Sequence, residues 1–380
     1  MKPVRILQVV GSMHRGGIET WLMSVLGRID PEKFAIDFLV SNATPSPFRQ
    51  EIEQKGSKLI VCLAHSEPLR YMRNLRRALK THGPYDIIHS HLHHLNGLVA
   101  FVGAHAGVPV RAAHSHFAIE NGIHGIRYRT ARLLMNRYTT DMLACSAIAG
   151  AALYGEPWEM RGKVILCGID LSRFREAAVR QEVRAELGLP SNAIVVGHAG
   201  RFVPQKNHTF LLDIAEVLIK RDPRFHFALL GDGPLRSDLM TRIDKAGMKG
   251  RIHFLGARPD VPRIMLGAMD GYLFPSHFEG APLALVEAQA AGLPCLYSDV
   301  CATETDLVPG LLRRMPLQAG AEAWANSLED LIQTCPAEVR YSALQRVEST
   351  PFNLTKSIDD LEDFYSDALA RNRHSVALAS

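Results

Sequence analysis

Short apolar runs recur along the chain, separated by longer stretches in which apolar positions return every three or four residues. In the first half the runs are Ile6–Val10, Ile36–Val40, Leu59–Leu63, Ile87–His89, Val110–Ala113 and Met142–Cys145. In the second half they are Ile194–His198, Phe225–Leu230, Ile252–Leu255, Gly271–Phe274 and Pro294–Tyr297. The segment Asn207–Arg221 carries the helical period, with Phe210, Ile214 and Leu218 on one face. Strands that are apolar on both faces and alternate with helices predict parallel sheets covered on both sides, an α/β class.

The pattern occurs twice, broken by a polar stretch from Asp170 to Asn192. It predicts two Rossmann-like, doubly wound domains, residues 1–170 and 171–354, with ligands at the carboxyl ends of the strands and in a cleft between the domains. The 380-residue length suits two cores better than one. Near the end, Ile358–Ala370 places Leu361, Phe364, Tyr365 and Leu369 on one side. A helix over about 355–370 is expected to pack back on the N-terminal domain, with Arg371–Ser380 as a frayed tail.

Composition narrows the function classes. With 47% hydrophobic and 22% charged residues the chain has the balance of a folded globular protein. A net charge of +4 is too small to make nucleic acid the expected partner. The six cysteines (Cys62, Cys145, Cys167, Cys295, Cys301 and Cys335) lack metal-ligand spacing and read as reduced core residues of a cytoplasmic protein. Ile6–Val10 is too short for the apolar region of a signal peptide, and no stretch approaches the ~20 apolar residues that span a bilayer.

Candidate chemistry concentrates after the strands. Phe278-Glu279-Gly280-Ala281-Pro282-Leu283 leads into a helix that carries Glu287 in its second turn. Proline suits the first helical position, and the free N–H groups around Gly280, Ala281 and Leu283 attract phosphate or sugar oxygens. Glu279 and Glu287 can each accept hydrogen bonds from ligand hydroxyls. The apolar neighbours of Glu287 imply burial, which a carboxylate tolerates only with a partner. Gly200–His208 puts Arg201 and Lys206 where such sheets bind ligands, and both suit phosphate, although a solvated basic loop would look the same. Leu230–Pro234 is a further strand-to-turn element whose glycines permit close backbone approach. In the first half, Gly16-Gly17 joins a strand to a helix and can approach a diphosphate, without forming the GxGxxG of dinucleotide sites. Histidines gather in His89–His94 and His114–His116 without an HExxH pattern. His116 reads as a polar contact to a sugar, and the other histidines as loop-shaping residues.

Taken together, GGIET, HSH, ACS, GRFVPQKNH, LLGDGP, FLGARPDV and PSHFEGAPLALVEAQAAGLPCLYSDV resemble, in order, the family 4 retaining glycosyltransferases. Their fold is GT-B, two facing Rossmann-like domains. The wording near the N-terminus is most similar to the branch found in bacterial capsule and exopolysaccharide gene sets. The resemblance implies a nucleotide-diphosphate-sugar donor, with Arg201 and Lys206 holding the diphosphate and stabilising the departing charge. It places Glu279 and the amides after Gly280 on the transferred sugar, and Glu287 on the ribose. Gly17 would meet the diphosphate, His116 would lie beside the sugar, and the base would lie near Gly256–Pro259, which includes Arg258. It further implies retention of configuration and no metal or other cofactor, in keeping with the lack of an Asp-x-Asp motif. Cys167-Gly168 departs from the Asn-Gly usual in the family, and no role is carried onto Cys167.

The acceptor expected from this resemblance is a saccharide or a lipid-linked saccharide. Arg70, Arg73, Arg76, Arg77 and Lys80 lie on one amphipathic segment with Leu69, Met72, Leu75 and Leu79, and Arg127, Arg129, Arg132 and Arg137 lie on another. Such helices suit either peripheral contact with an anionic membrane or burial of the apolar side in their own domain. A nucleotide-sugar epimerase of the same fold and a non-catalytic nucleotide-sugar-binding subunit remain alternatives on these grounds.

Overall fold

The computed structural model describes residues 2–14, 16–64, 66–118, 126–176 and 178–377, without the side chains of 126–128 and 375–377. The chain forms two compact units, Met1–Gly168 with Leu354–Ser380, and Ile169–Asn353. The first holds a sheet of β1 (Val4–Val10), β2 (Phe34–Val40), β3 (Leu59–Val61), β4 (Ile87–Ser90), β5 (Val110–Ser115), β6 (Asp141–Ala144) and β7 (Gly162–Val164). Its order is β3-β2-β1-β4-β5-β6-β7, and every pairing is parallel.

The second unit holds β8 (Ile194–Ala199), β9 (Phe225–Leu230), β10 (Ile252–Gly256), β11 (Gly271–Phe274), β12 (Cys295–Ser298) and β13 (Leu312–Met315). Its order is β10-β9-β8-β11-β12-β13, again parallel throughout. Each unit is thus doubly wound, the α/β class the periodicity predicts. Strands β7 and β13 fall outside the apolar runs. They close their sheets as edge strands, and Lys163, Arg313 and Arg314 explain why hydropathy passes over them.

Both sheets bury strand residues under helices. In the first, Leu7, Val9, Leu39 and Ile88 pack with Tyr71, Leu75, Leu79 and Val99. In the second, Val196, Phe227, Leu229 and Leu273 pack with Leu211, Ile214, Ala215 and Leu218 of the helix His208–Arg221. Phe210, expected on that inner face, is only partly buried and lies edge-on against Trp324.

The polar stretch after Asp170 is not a linker. It forms a 3-10 turn over Leu171–Phe174 and a helix over Arg180–Glu186 that belong to the second unit. Val183 packs where Gly267 lacks a Cβ, and Arg184 is buried. The last helix, Leu354–Ala377, belongs to the first unit. It is tied there by Trp21 Nε1–H to Ser357 Oγ (3.0 Å) and by the Asp30 N–H to Glu362 Oε1 (3.0 Å). The helix continues into the expected tail, where Arg371 meets Asp141 at 2.7 Å and Asn372 donates to the Pro109 carbonyl.

The strand orders reverse direction between β1 and β4 and between β8 and β11. At such a switch point the loops leaving the two central strands diverge and leave a crevice at their carboxyl ends. In the second unit those loops are Gly200–Lys206 and Pro275–Pro282.

Candidate active site

The crevice at the β8–β11 switch is assembled by backbone contacts among neighbouring loops. The Gly200 N–H donates to the Leu230 carbonyl, Phe202 N–H to Asp232, and Leu235 N–H to Phe202. Gly231, at φ +135°, sits so close that a Cβ there would strike the Gly200 carbonyl oxygen. Across the switch, His277 N–H donates to the Gln205 carbonyl (2.8 Å), and Gln205 Nε2–H to the Phe278 carbonyl (2.9 Å). The loops that carry Lys206 and Glu279 are therefore stitched together.

Lys206 Nζ lies 2.6 Å from Glu279 Oε1, and both side chains are mostly withdrawn from water. The ammonium also stands over the Phe274 ring, 4.7 Å from its centroid, where the ring's negative face attracts it. Below it lie two wholly buried imidazoles, His198 and His208. His198 Nδ1–H donates to the Leu273 carbonyl at 2.9 Å. Burial holds His198 well below its ordinary range and brings His208 down to about 4, and the Lys206 charge adds to both shifts. Both rings are neutral at physiological pH, so Lys206 is the local positive charge. Arg201, one turn earlier, is exposed, and among the described residues no carboxylate pairs with it.

The helix after Glu279 begins at Leu283, with Pro282 as its N-cap. Among the described residues, the N–H groups of Gly280, Ala281, Leu283 and Ala284 donate to no protein acceptor. A helix start with open donors beside a paired Lys and Glu can hold an anion and hydroxyls together. Glu287, in the second turn, is half-buried. Desolvation pushes its carboxyl up to about 7, opposed by the Arg173 charge.

The structure does not gather every predicted site residue in this way. Gly256 ends β10 at φ +71° and accepts from the Gly231 N–H. Arg258 is engaged by Asp260 (2.7 Å) and Glu186 (3.2 Å), which hold its guanidinium above its usual range. In the first unit Gly16 caps the helix Gly17–Arg28, and the Glu19 carboxylate fills the space beside Gly16 that a Cβ would take. Arg15 and the Arg127 side chain lie outside the described residues.

His116 lies just past β5 and is 8% exposed. His89 and His114 are not loop residues but belong to β4 and β5; His91 lies in the loop directly after β4, and all three are buried. Their ligand-capable nitrogens lie within 4.8 Å of one another. Hydrogen bonds already draw on them, His89 Nδ1 with Tyr365 Oη (2.8 Å), His89 Nε2 with His114 Nδ1 (3.1 Å) and His91 Nδ1 with His116 Nε2 (2.7 Å).

Comparison with known proteins gives this geometry its context. Residues 15–173 match the family described as Glycosyltransferase Family 4, and residues 179–340 match Glycosyl transferases group 1. EpsF of Bacillus subtilis is 33% identical over 90% of this chain and 94% of its own. The chain belongs to glycosyltransferase family 4. A second relative, the Escherichia coli UDP-Gal:alpha-D-GlcNAc-diphosphoundecaprenol alpha-1,3-galactosyltransferase, is 29% identical over 74% of this chain and 76% of its own. Among solved structures, Anabaena HepE in complex with UDP and glucose superposes with a TM-score of 0.81 at 22% identity, covering 96% of this chain and 100% of that one. The similarity to HepE concerns the fold, which is GT-B.

For this glycosyltransferase, reading motifs along the chain passes over Phe274 and His198, which carry no motif signal, and takes His208 only as the end of GRFVPQKNH. An aromatic ending a strand and histidines beside a basic loop are ordinary features until the fold places them under Lys206.

Proposed function

We propose that this glycosyltransferase moves a sugar from a nucleotide-diphosphate donor to a saccharide or lipid-linked saccharide, with retention of configuration and without a divalent metal, in cell-surface polysaccharide synthesis. The observation that carries the reading is the Lys206–Glu279 pair beside four open backbone donors. Lys206 and Arg201 take the diphosphate and stabilise the charge that develops as the nucleotide leaves. Glu279, released from Lys206 by the phosphate, accepts from sugar hydroxyls. Glu287 accepts from the ribose. The cations occupy the role a metal fills elsewhere, so dialysis against EDTA leaves the rate unchanged in this reading.

The similarity to an enzyme named for UDP-Gal and a diphosphoundecaprenol-linked acceptor supports a UDP sugar and a lipid-linked acceptor. An acceptor of that kind suits the cationic face of the helix Pro68–His82, so the proposal includes cytoplasmic work at an anionic membrane surface. A thermal-shift panel of UDP, GDP and ADP sugars tests the donor, because a ligand that binds only the folded state raises the melting temperature. Stabilisation by a UDP sugar and its turnover with a lipid-linked acceptor are expected. Stabilisation by none of the panel would overturn the donor assignment.

A further inference from the structure

Seven groups in the core of the first unit form one continuous hydrogen-bonded chain: Cys167, His116, His91, Gln8, Tyr365, His89 and His114. Its direction follows from the one member whose two ends differ chemically. Gln8 Nε2–H donates to Tyr365 Oη at 2.8 Å, and Gln8 Oε1 faces His91 Nε2 at 2.9 Å. An amide oxygen only accepts, so His91 carries its proton on Nε2. Its Nδ1 is then a bare lone pair, and the His116 Nε2 at 2.7 Å must donate to it. A neutral imidazole has one N–H, so His116 Nδ1 is left as an acceptor, with the Cys167 thiol 3.9 Å away.

The other half is settled in the same way. Having accepted from Gln8, the Tyr365 hydroxyl donates to His89 Nδ1 (2.8 Å), and His89 Nε2–H donates to His114 Nδ1 (3.1 Å). The chain ends at the buried His114 Nε2–H, which faces the Ile165 carbonyl and lies near the perpendicular Trp21 ring. A second proton on His89, His91 or His114 would break a bond in the chain. Burial and the neighbouring rings also hold His91, His114 and His116 well below the ordinary histidine range.

We infer that Gln8 and Tyr365 are positioning residues that lock His116 as a neutral Nε2–H tautomer, whose one proton is committed to His91 and whose Nδ1 can only accept. Tyr365 stands on the last helix, so that helix sets the state of a ring far from it in sequence.

The test reads ring nitrogens directly, by NMR of protein labelled with 15N-histidine and without any donor. The expected spectrum has His91 and His116 as Nε2–H tautomers, with His116 assigned by its loss in His116→Asn. The ring can also be assigned by through-bond correlation to its own backbone, so an Nδ1–H signal for His116, or a charged ring, would overturn the inference whether or not any variant folds. Tyr365→Phe removes the acceptor that orients Gln8 and should convert the His116 signal to a tautomer mixture. An unchanged signal in that folded variant also sinks the proposal.

Discussion

Lys206 and Glu279 each solve the other's problem. Alone, either charge would be withdrawn from water without compensation; paired at 2.6 Å over Phe274, they can wait for a ligand that divides them. Lys206→Ala should lower kcat by about two to three orders of magnitude, the usual effect of losing one preorganised charge at a leaving group. It also strands the Glu279 carboxylate, so the melting temperature should fall by several degrees, about 3 kcal/mol for a broken buried pair. Near-parental activity would contradict the assignment. Glu287 makes a different prediction. Its carboxyl titrates near 4.5 when unfolded and near 7 when folded. Between those values the folded protein keeps a proton that the unfolded chain releases. The Glu287 contribution to stability therefore declines as pH rises through that window and stays low above it. Glu287→Gln cannot ionise, so its melting temperature should rise relative to the parent between pH 5 and 7 and hold that gain at pH 8. A pH-independent difference would show that the carboxyl titrates normally. The glutamate pair was legible as chemistry from residue type and spacing, whereas its imidazole and aromatic surroundings were not.

At the scale of elements, the least legible piece is the helix Arg180–Glu186. Its composition reads as a polar connector, yet Arg184 is 3% exposed and makes five hydrogen bonds. They reach the carbonyls of Ala268, Ser191 and Ala193 and the Asp270 carboxylate, which itself accepts from the Val195 N–H (2.8 Å). One guanidinium thus joins this helix to the starts of β8 and β11, the two strands that flank the switch point. Hydropathy counts arginine as a surface residue because it cannot foresee four carbonyl and carboxylate oxygens converging on one site. Arg184→Met should cost roughly 3–5 kcal/mol, since three carbonyls lose their donor and the Asp270 charge keeps only Arg180 and the Val195 N–H. Urea denaturation measures this directly, and a loss below about 1 kcal/mol would show that the cluster is dispensable. The long helices and central strands were read correctly because period and burial coincide there. Of the edge strands, β7 and β13 were missed because their charged residues carry no such period, while β3 and β10 were read from their apolar runs.

For the whole molecule, charge distribution matters more than the net +4. The helix Pro68–His82 buries Tyr71, Leu75 and Leu79 in its own unit, so its apolar stripe is already used. Outward it shows Arg70, Arg73, Arg76, Arg77 and Lys80, with Leu69 80% exposed at its start. Among the described residues no helix is long and apolar enough to cross a membrane. Binding to a bilayer through this face would be electrostatic. The protein should pellet with anionic vesicles at low salt and be released near 0.5 M salt, where the screening length falls to about 4 Å. Failure to pellet at low salt would remove the membrane from the proposal. The alternation of apolar runs and helical periods was enough to determine the α/β class, the doubling of the sheet and the family, because those depend on local periodicity and ordered motifs. Only the tertiary structure decided that Lys206 meets Glu279, that a polar stretch is a helix held by a buried arginine, and that four histidines share one proton chain with Gln8 and Tyr365. Those outcomes are contacts between residues tens to hundreds of positions apart. No local period records them, because they exist only once the sheets have brought their strand ends together.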